Sequence, residues 1–139
     1  MDPSFKTLRV NHIGIAVENL DEALLLYKEV LGLSFHGREI IESDQVTVAF
    51  LSIGDTELEL LEAITPDSPV ARFIEKKGEG VHHLAFEVDG IDQALEALRK
   101  DGYQLIDETP RTGAGGTRVA FVHPRSTKGV LIELCEKNQ

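Results

Sequence analysis

The sequence predicts an α+β chain of two paired βαβββ modules, forming a cup-shaped mixed and antiparallel sheet with helices outside. Three observations predict it. The chain repeats itself at a shift of 71 positions: Val10 falls on Val81, His12 on His83, Val17 on Val88, Asp21 on Asp92, Ala23-Leu24 on Ala94-Leu95, and Val48-Ala49-Phe50 on Val119-Ala120-Phe121. Each half opens on an alternating, β-branched stretch of the kind that forms strands. Each such stretch is followed by apolar residues at helical spacing. With 139 residues the chain is expected to form a single domain, 1–139, with repeats at approximately 8–64 and 79–137 joined by a short helix over 68–78. Two repeats are too few for a solenoid, so the halves are expected to pair with each other.

The elements run in order along the chain. Residues 8–17 read as a strand. Leu20, Ala23, Leu24, Tyr27, Val30 and Leu31 form a helical stripe, and Gly32 stands where a C′ residue belongs. Residues 35–41 read as a strand, and 45–53 with 56–63 as a hairpin around Gly54-Asp55. In the connector, Ser68 suits an N-cap, Pro69 the first helical turn and Gly78 the end. The second half repeats the plan. Strand 81–88 leads to a helix with Ile91, Ala94, Leu95 and Leu98 on one face and Gly102 at its end. Strands near 103–108, 117–123 and 129–136 complete it. Gly113-Ala114-Gly115-Gly116 reads as a loop rather than a phosphate cradle, because the Lys-Ser/Thr of a P-loop is missing.

Composition narrows the function. The chain is 42% hydrophobic, enough for a core, yet no stretch approaches the ~20 apolar residues of a membrane span. No signal peptide is evident, and the single Cys135 suits a reducing cytoplasm, so a cytoplasmic location is expected. Cys135 reads as a small core residue rather than a nucleophile. A net charge of -10 argues against nucleic acid and anionic membrane as partners. It does not exclude a small anionic substrate held by a metal or a few arginines.

Strand parity sorts the polar residues. Ile13, Ile15 and Val17 share the face that should pack under the helix. His12 lies on the other face with the smaller Gly14 and Ala16. In the matching strand, Leu84, Phe86 and Val88 face the helix and His83 faces away with Ala85. His82 has the opposite parity, so His83 is the candidate of the adjacent pair. In the closing strands Leu58 and Leu60 flank Glu59, and Ile132 and Leu134 flank Glu133, which places both glutamates on the face of the histidines. A lone strand histidine is ordinarily structural, and a lone strand glutamate ordinarily an exposed edge residue. Four such residues that share parity and obey the repeat are better explained as metal ligands, since a divalent cation is an economical partner for buried carboxylates. Glu57 and Glu87 share that parity but lack acidic mates in the repeat, so they are expected to be solvated or to stand behind the ligands. His36 and His123 are expected to have ordinary roles, with His123-Pro124 a candidate lining of a pocket mouth. Arg111 and Arg118 read as surface charges and are also the nearest candidates to hold an anionic substrate.

A His2Glu2 set suits Co, Mn, Zn, Ni or Fe(II) without choosing among them, and it is not a closed cysteine-type zinc site. On an octahedral ion it leaves two positions for a chelating substrate. The metal would act as a Lewis acid on a carbonyl while a nearby carboxylate moves an α-proton.

Several segments, at these spacings, resemble the vicinal oxygen chelate (glyoxalase-like) superfamily and, within it, the methylmalonyl-CoA epimerase family. They are Asn11-His12-Ile13-Gly14-Ile15-Ala16-Val17, Glu59-Leu60-Leu61-Glu62, Asp67-Ser68-Pro69, Gly80-Val81-His82-His83, the Gly113–Arg118 loop, Phe121-Val122-His123-Pro124 and Lys128-Gly129-Val130-Leu131-Ile132-Glu133-Leu134. The resemblance covers nearly the whole chain. It implies interconversion of (R)- and (S)-methylmalonyl-CoA by C2 proton removal and reprotonation through an enediolate-type intermediate. It implies an acyl-CoA thioester as substrate and a homodimer as assembly. It implies one divalent metal ion, cobalt favoured, with Mn, Zn, Ni or Mg as alternatives, held by His12, Glu59, His83 and Glu133. Glu133 is the expected base and Glu59 the weaker candidate for the opposite face of the substrate. Some members are thought to use a further carboxylate at the position of Val48, which cannot transfer a proton. Glyoxalase I, which can share the ligand set, is the nearest rival. An iron dioxygenase would use a two-His-one-carboxylate triad instead. A non-catalytic, ligand-sequestering member would bind no metal.

Overall fold

The computed structural model describes residues 5–137, which divide into two compact units. One unit is His12–His82. The other joins the described residues up to Asn11 to those from His83 onward.

In the first unit, strand β1 (Thr7–Ala16, whose first residues belong to the second unit) is succeeded by helix α1 (Leu20–Leu24), β2 (Ser34–Ile41), β3 (Val46–Ile53), β4 (Thr56–Ala63) and helix α2 (Pro69–Lys77). Its strands lie in the order β2-β3-β4-β1. The β2–β3 and β3–β4 pairs are antiparallel and β1–β4 is parallel. Asn19 caps α1, its side-chain oxygen accepting from the Glu22 amide at 2.9 Å. Leu20 and Leu24 then bury against Val17, Ala49, Leu51, Leu58 and Leu60, with Ile13 and Ile15 packed alongside, so one sheet face is sealed by α1. The opposite face carries a second apolar cluster, Ala16, Val46, Val48 and Leu61, closed by Val70, Phe73 and Ile74 of α2. Ser68 begins α2 as expected, accepting from the Val70 amide and donating to the Asp44 carbonyl.

The second unit repeats this order: β5 (Gly80–Val88, whose first residues belong to the first unit), helix α3 (Ile91–Lys100), β6 (Arg111–Thr112), β7 (Arg118–Val122) and β8 (Ile132–Glu136), with strands arranged β5-β8-β7-β6. Strand β5 runs parallel to β8, and β7 pairs antiparallel with β6 and β8. Ile91, Ala94 and Leu95 of α3 bury against Val88, Ala120, Val122 and Leu134, leaving Ala85, Val119 and Cys135 in a separate cluster.

The structure departs from the sequence expectations in two places. The α1 stripe does not continue through Val30 and Leu31. Residues Leu25–Val30 form a π-helical turn, with the Leu31 amide bonded to the Leu26 carbonyl, and the wider turn rotates Val30 and Leu31 off the core. Tyr27 stays packed on the core while Val30 is 75% exposed. The expected strand over 103–108 is reduced to a single bridge, Leu105 to Val122, flanked by the bonds Ile106 N–H to Phe121 C=O and His123 N–H to Gln104 C=O. The regular pairing with β7 is made instead by the two-residue β6 beyond Pro110.

Candidate active site

The register of the strands assembles one histidine–glutamate pair in each unit. In the first, Glu59 of β4 lies between Gly14 of β1 and Phe50 of β3. In the second, Glu133 of β8 lies between Ala85 of β5 and Phe121 of β7. Each carboxylate thus has a small neighbour on the strand that carries the histidine and a phenyl ring on the other side. His12, two residues before Gly14, brings Nδ1 to 3.4 Å from Glu59 Oε2. His83, two residues before Ala85, brings Nε2 to 3.3 Å from Glu133 Oε1. The His83 ring stands edge-on to Phe121, with centroids 5.6 Å apart.

All four side chains are buried, at 5% or 6% exposure. Ionised carboxylates at such depth need hydrogen bonds or opposite charge. An imidazole beside each supplies one partner, and a nitrogen–oxygen donor pair is also a ligand set for a divalent cation. A carboxylate there can equally move a proton over hydrogen-bond distance.

Glutamates three residues beyond Glu59 and Glu133, facing the other way, brace each unit. Glu62 accepts from the Leu20 amide at 2.6 Å, and Glu136 accepts from the Ile91 amide at 3.3 Å. Leu20 and Ile91 are the first residues of α1 and α3, so each carboxylate meets the positive end of its module's helix. Sequence reasoning missed this role, although the repeated Glu-x-x-Glu spacing was there to find it.

The other residues singled out by sequence have distinct placements. Arg118 grips Asp92 with two bonds of 3.0 Å and reaches Glu136 at 3.3 Å, so it ties β7 to α3 on the helix-covered face. Those partners hold the Asp92 carboxyl below the usual range and raise the Arg118 guanidinium. Glu87 is not simply solvated. Arg9 Nε donates to it at 3.0 Å and Asn11 Nδ2 at 3.2 Å, and Lys137 stands 3.7 Å away. Partial desolvation raises its pKa, but these bonds and charges win and hold it low. His82 packs edge-on to Phe73 of α2, where burial pushes its pKa down to about 4 against an opposing pull from Asp44. His36 bonds Ser52 on the exposed side of β2, and His123 Nδ1 accepts from the Arg125 amide to start a 3-10 turn. Val48 is buried in the apolar cluster under α2 and offers no acid. Gly113 packs against Val119, where a Cβ would come within 2.7 Å of a methyl.

Comparison with known proteins decides the lineage. Residues 11–121 match the Glyoxalase/Bleomycin resistance protein/Dioxygenase superfamily. The chain belongs to this superfamily. Within it, the chain is 50% identical to an uncharacterised protein, YqjC, of Bacillus subtilis over 92% of this chain and 91% of that one. It is 39% identical to the mitochondrial methylmalonyl-CoA epimerase of Homo sapiens over 91% of this chain and 72% of that protein. A solved methylmalonyl-CoA epimerase in complex with methylmalonyl-CoA and ammonium superposes with a TM-score of 0.90 at 36% identity, covering 95% of this chain and 96% of that one. A lactoylglutathione lyase of Neisseria meningitidis stands farther off, at 30% identity over 94% of this chain and 91% of that protein. The α+β fold of paired βαβββ modules expected from the sequence is therefore the superfamily fold.

Proposed function

We propose that this protein is a methylmalonyl-CoA epimerase, interconverting the (R) and (S) forms at C2. The observation that carries the reading is the repeated buried pair, His12–Glu59 and His83–Glu133, in a chain at 39% identity to an epimerase and only 30% to a lactoylglutathione lyase. A carboxylate buried beside an imidazole and flanked by a phenyl ring is shielded from bulk water, which favours proton transfer over solvation of the base.

Glu133 is the residue that takes the C2 proton, and Glu59 returns one to the opposite face of the planar intermediate. Inversion needs two such groups, and each module supplies one. Val48 leaves no third carboxylate at the position some relatives use, so these two carry the exchange.

The donor set fits one divalent metal ion held by His12, Glu59, His83 and Glu133, with cobalt the favoured ion; His12, Glu59 and His83 each offer an atom of ligating type from a buried position. When bound, such an ion supplies Lewis acidity to the substrate's oxygens. Each carboxylate has two oxygens, so one can ligate while the other faces the proton. A homodimer is the assembly this reading expects.

The test is incubation of the purified protein with one epimer of methylmalonyl-CoA in deuterated buffer, with NMR at C2 and chiral analysis as readouts. Inversion with deuterium incorporation is expected. Absence of both, with turnover of the glutathione hemithioacetal instead, would transfer the protein to the lyase group.

A further inference from the structure

We propose that Arg111 is a substrate-binding residue that holds an anionic oxygen of the acyl-CoA beside the His83–Glu133 pair; this rests on the epimerase reading above. Two independent observations place it there. The first is register. Arg111 of β6 pairs with Val119 of β7, Phe121 lies two residues further along β7, and Phe121 pairs with Glu133 of β8. Residues two apart on a strand share a face, so Arg111, Phe121 and Glu133 lie on one side of the sheet. The second is contact. The Arg111 guanidinium lies 5.5 Å from the centre of the Phe121 ring, against which the His83 ring also stands, at 5.6 Å between centroids. The cation and the candidate base's imidazole thus pack on the same phenyl ring.

The guanidinium is also aimed. Asp107 Oδ2 accepts from the Phe121 amide at 2.8 Å, and Asp107 Oδ1 stands 3.4 Å from Arg111 Nε. The carboxylate is thereby fixed to the same strand residue whose ring supports the cation. The Arg111 side chain keeps 34% exposure, so an incoming anion can reach it. Arg118, the other arginine of the segment, lies on the helix-covered face with its guanidinium on Asp92 and Glu136, and is unsuited to this role.

The chemistry asks for such a group. An acyl-CoA is a polyanion and this chain has a net charge of -10, so local cations must offset the average field. A planar guanidinium gives an oxyanion two parallel bonds, which a lysine ammonium does not. The oxygen belongs either to the malonyl carboxylate or to a CoA phosphate, and truncation of the thiol distinguishes them.

The experiment compares wild type with R111Q, R111K and the control R118Q. It measures steady-state epimerisation and direct binding by calorimetry, with methylmalonyl-CoA and with methylmalonyl-pantetheine. R111Q is expected to weaken methylmalonyl-CoA binding and raise KM by about tenfold to a hundredfold, with kcat changed by less than about threefold. R111K is expected to recover part of the loss. R118Q should lower Tm and leave KM unmoved. A loss that persists with the pantetheine thioester assigns the carboxylate, and a loss that vanishes there assigns a phosphate. Unchanged binding and KM in R111Q for both substrates would overturn the proposal. If wild type binds methylmalonyl-CoA without inverting it, the epimerase reading fails, and the binding comparison still decides Arg111. If wild type binds neither thioester, both fall.

Discussion

Replacing Glu133 by glutamine separates chemistry from architecture. The amide keeps the volume of a side chain that is 6% exposed between Ala85 and Phe121, and its oxygen can still face the His83 ring at about the native 3.3 Å. The fold should therefore lose little, on the order of 1 kcal/mol, as for one hydrogen bond of this kind. With an unfolding entropy of roughly 2 cal/mol/K per residue, that is a Tm shift of only about 3 °C for a chain of this length. Proton transfer is a different matter, since an amide cannot act as the base, and loss of such a group costs about a hundredfold to ten-thousandfold. Epimerisation should fall by that factor. Solvent exchange gives a sharper reading. If Glu133 and Glu59 serve opposite faces, E133Q should still exchange the C2 proton of the epimer presented to Glu59, without inversion, and E59Q should do the converse with the other epimer. Each pure epimer, incubated in deuterated buffer with each variant, reports this by NMR. Inversion within threefold of wild type in E133Q would refute the assignment. Loss of exchange for both epimers in both variants, with Tm intact, would refute the division of faces.

Three further outcomes are expected. Removing the helix braces should reduce stability unequally. E62A loses a 2.6 Å bond to a helix N-terminus and should cost about 1.5–3 kcal/mol, whereas E136A, which loses two longer bonds of 3.3 Å, to the Ile91 amide and to the half-exposed Arg118, should cost about 1 kcal/mol, both read by urea titration. The metal-free protein should lose stability as pH falls from about 6.5 towards 4. His82 has a pKa of about 4 when folded against 6.5 free, so protonation favours the unfolded chain through that window and the contribution is complete above it. The loss is at most about 3 kcal/mol, and H82F should flatten that part of the profile. Chelation of divalent metal should abolish C2 exchange and lower Tm, and cobalt at a hundredfold excess over its Kd should restore about 2.7 kcal/mol.

The two buried histidine–glutamate pairs of the candidate site were legible because strand parity and the repeat act on the same residues. His12 and Glu59 have strand positions that turn them off the helix-covered face, and the same rule turns His83 and Glu133; parity alone did not give their burial, since Glu57 and Glu87 share it and are only half-buried. Ser68, Pro69 and Gly78 bounded α2 because caps are local chemistry. The failures were tertiary. Nothing in the periodicity of 20–31 signals a π-helical turn, because an apolar stripe reads alike whether or not the helix carries it into the core. Residues 103–108 have strand-like composition, yet only Leu105 finds a bridge partner. Arg111 and Arg118 looked equivalent in sequence, and only pairing with Val119 in one case and Glu136 in the other puts them on opposite sides of the sheet.

The short stretches Glu59–Glu62 and Glu133–Glu136 have a consequence for how such a chain can change. In each, a buried acid beside a histidine is followed three residues on by an acid that anchors the helix of the same half. The helix anchor of each copy is therefore written into the same short strand segment as its buried acid. A change at Glu59 or Glu133 alone leaves the bond at the helix end in place, because residues three apart on a strand face opposite ways. Either buried acid can thus be exchanged without removing the helix anchor of its own half, which leaves each half free to vary its acid separately.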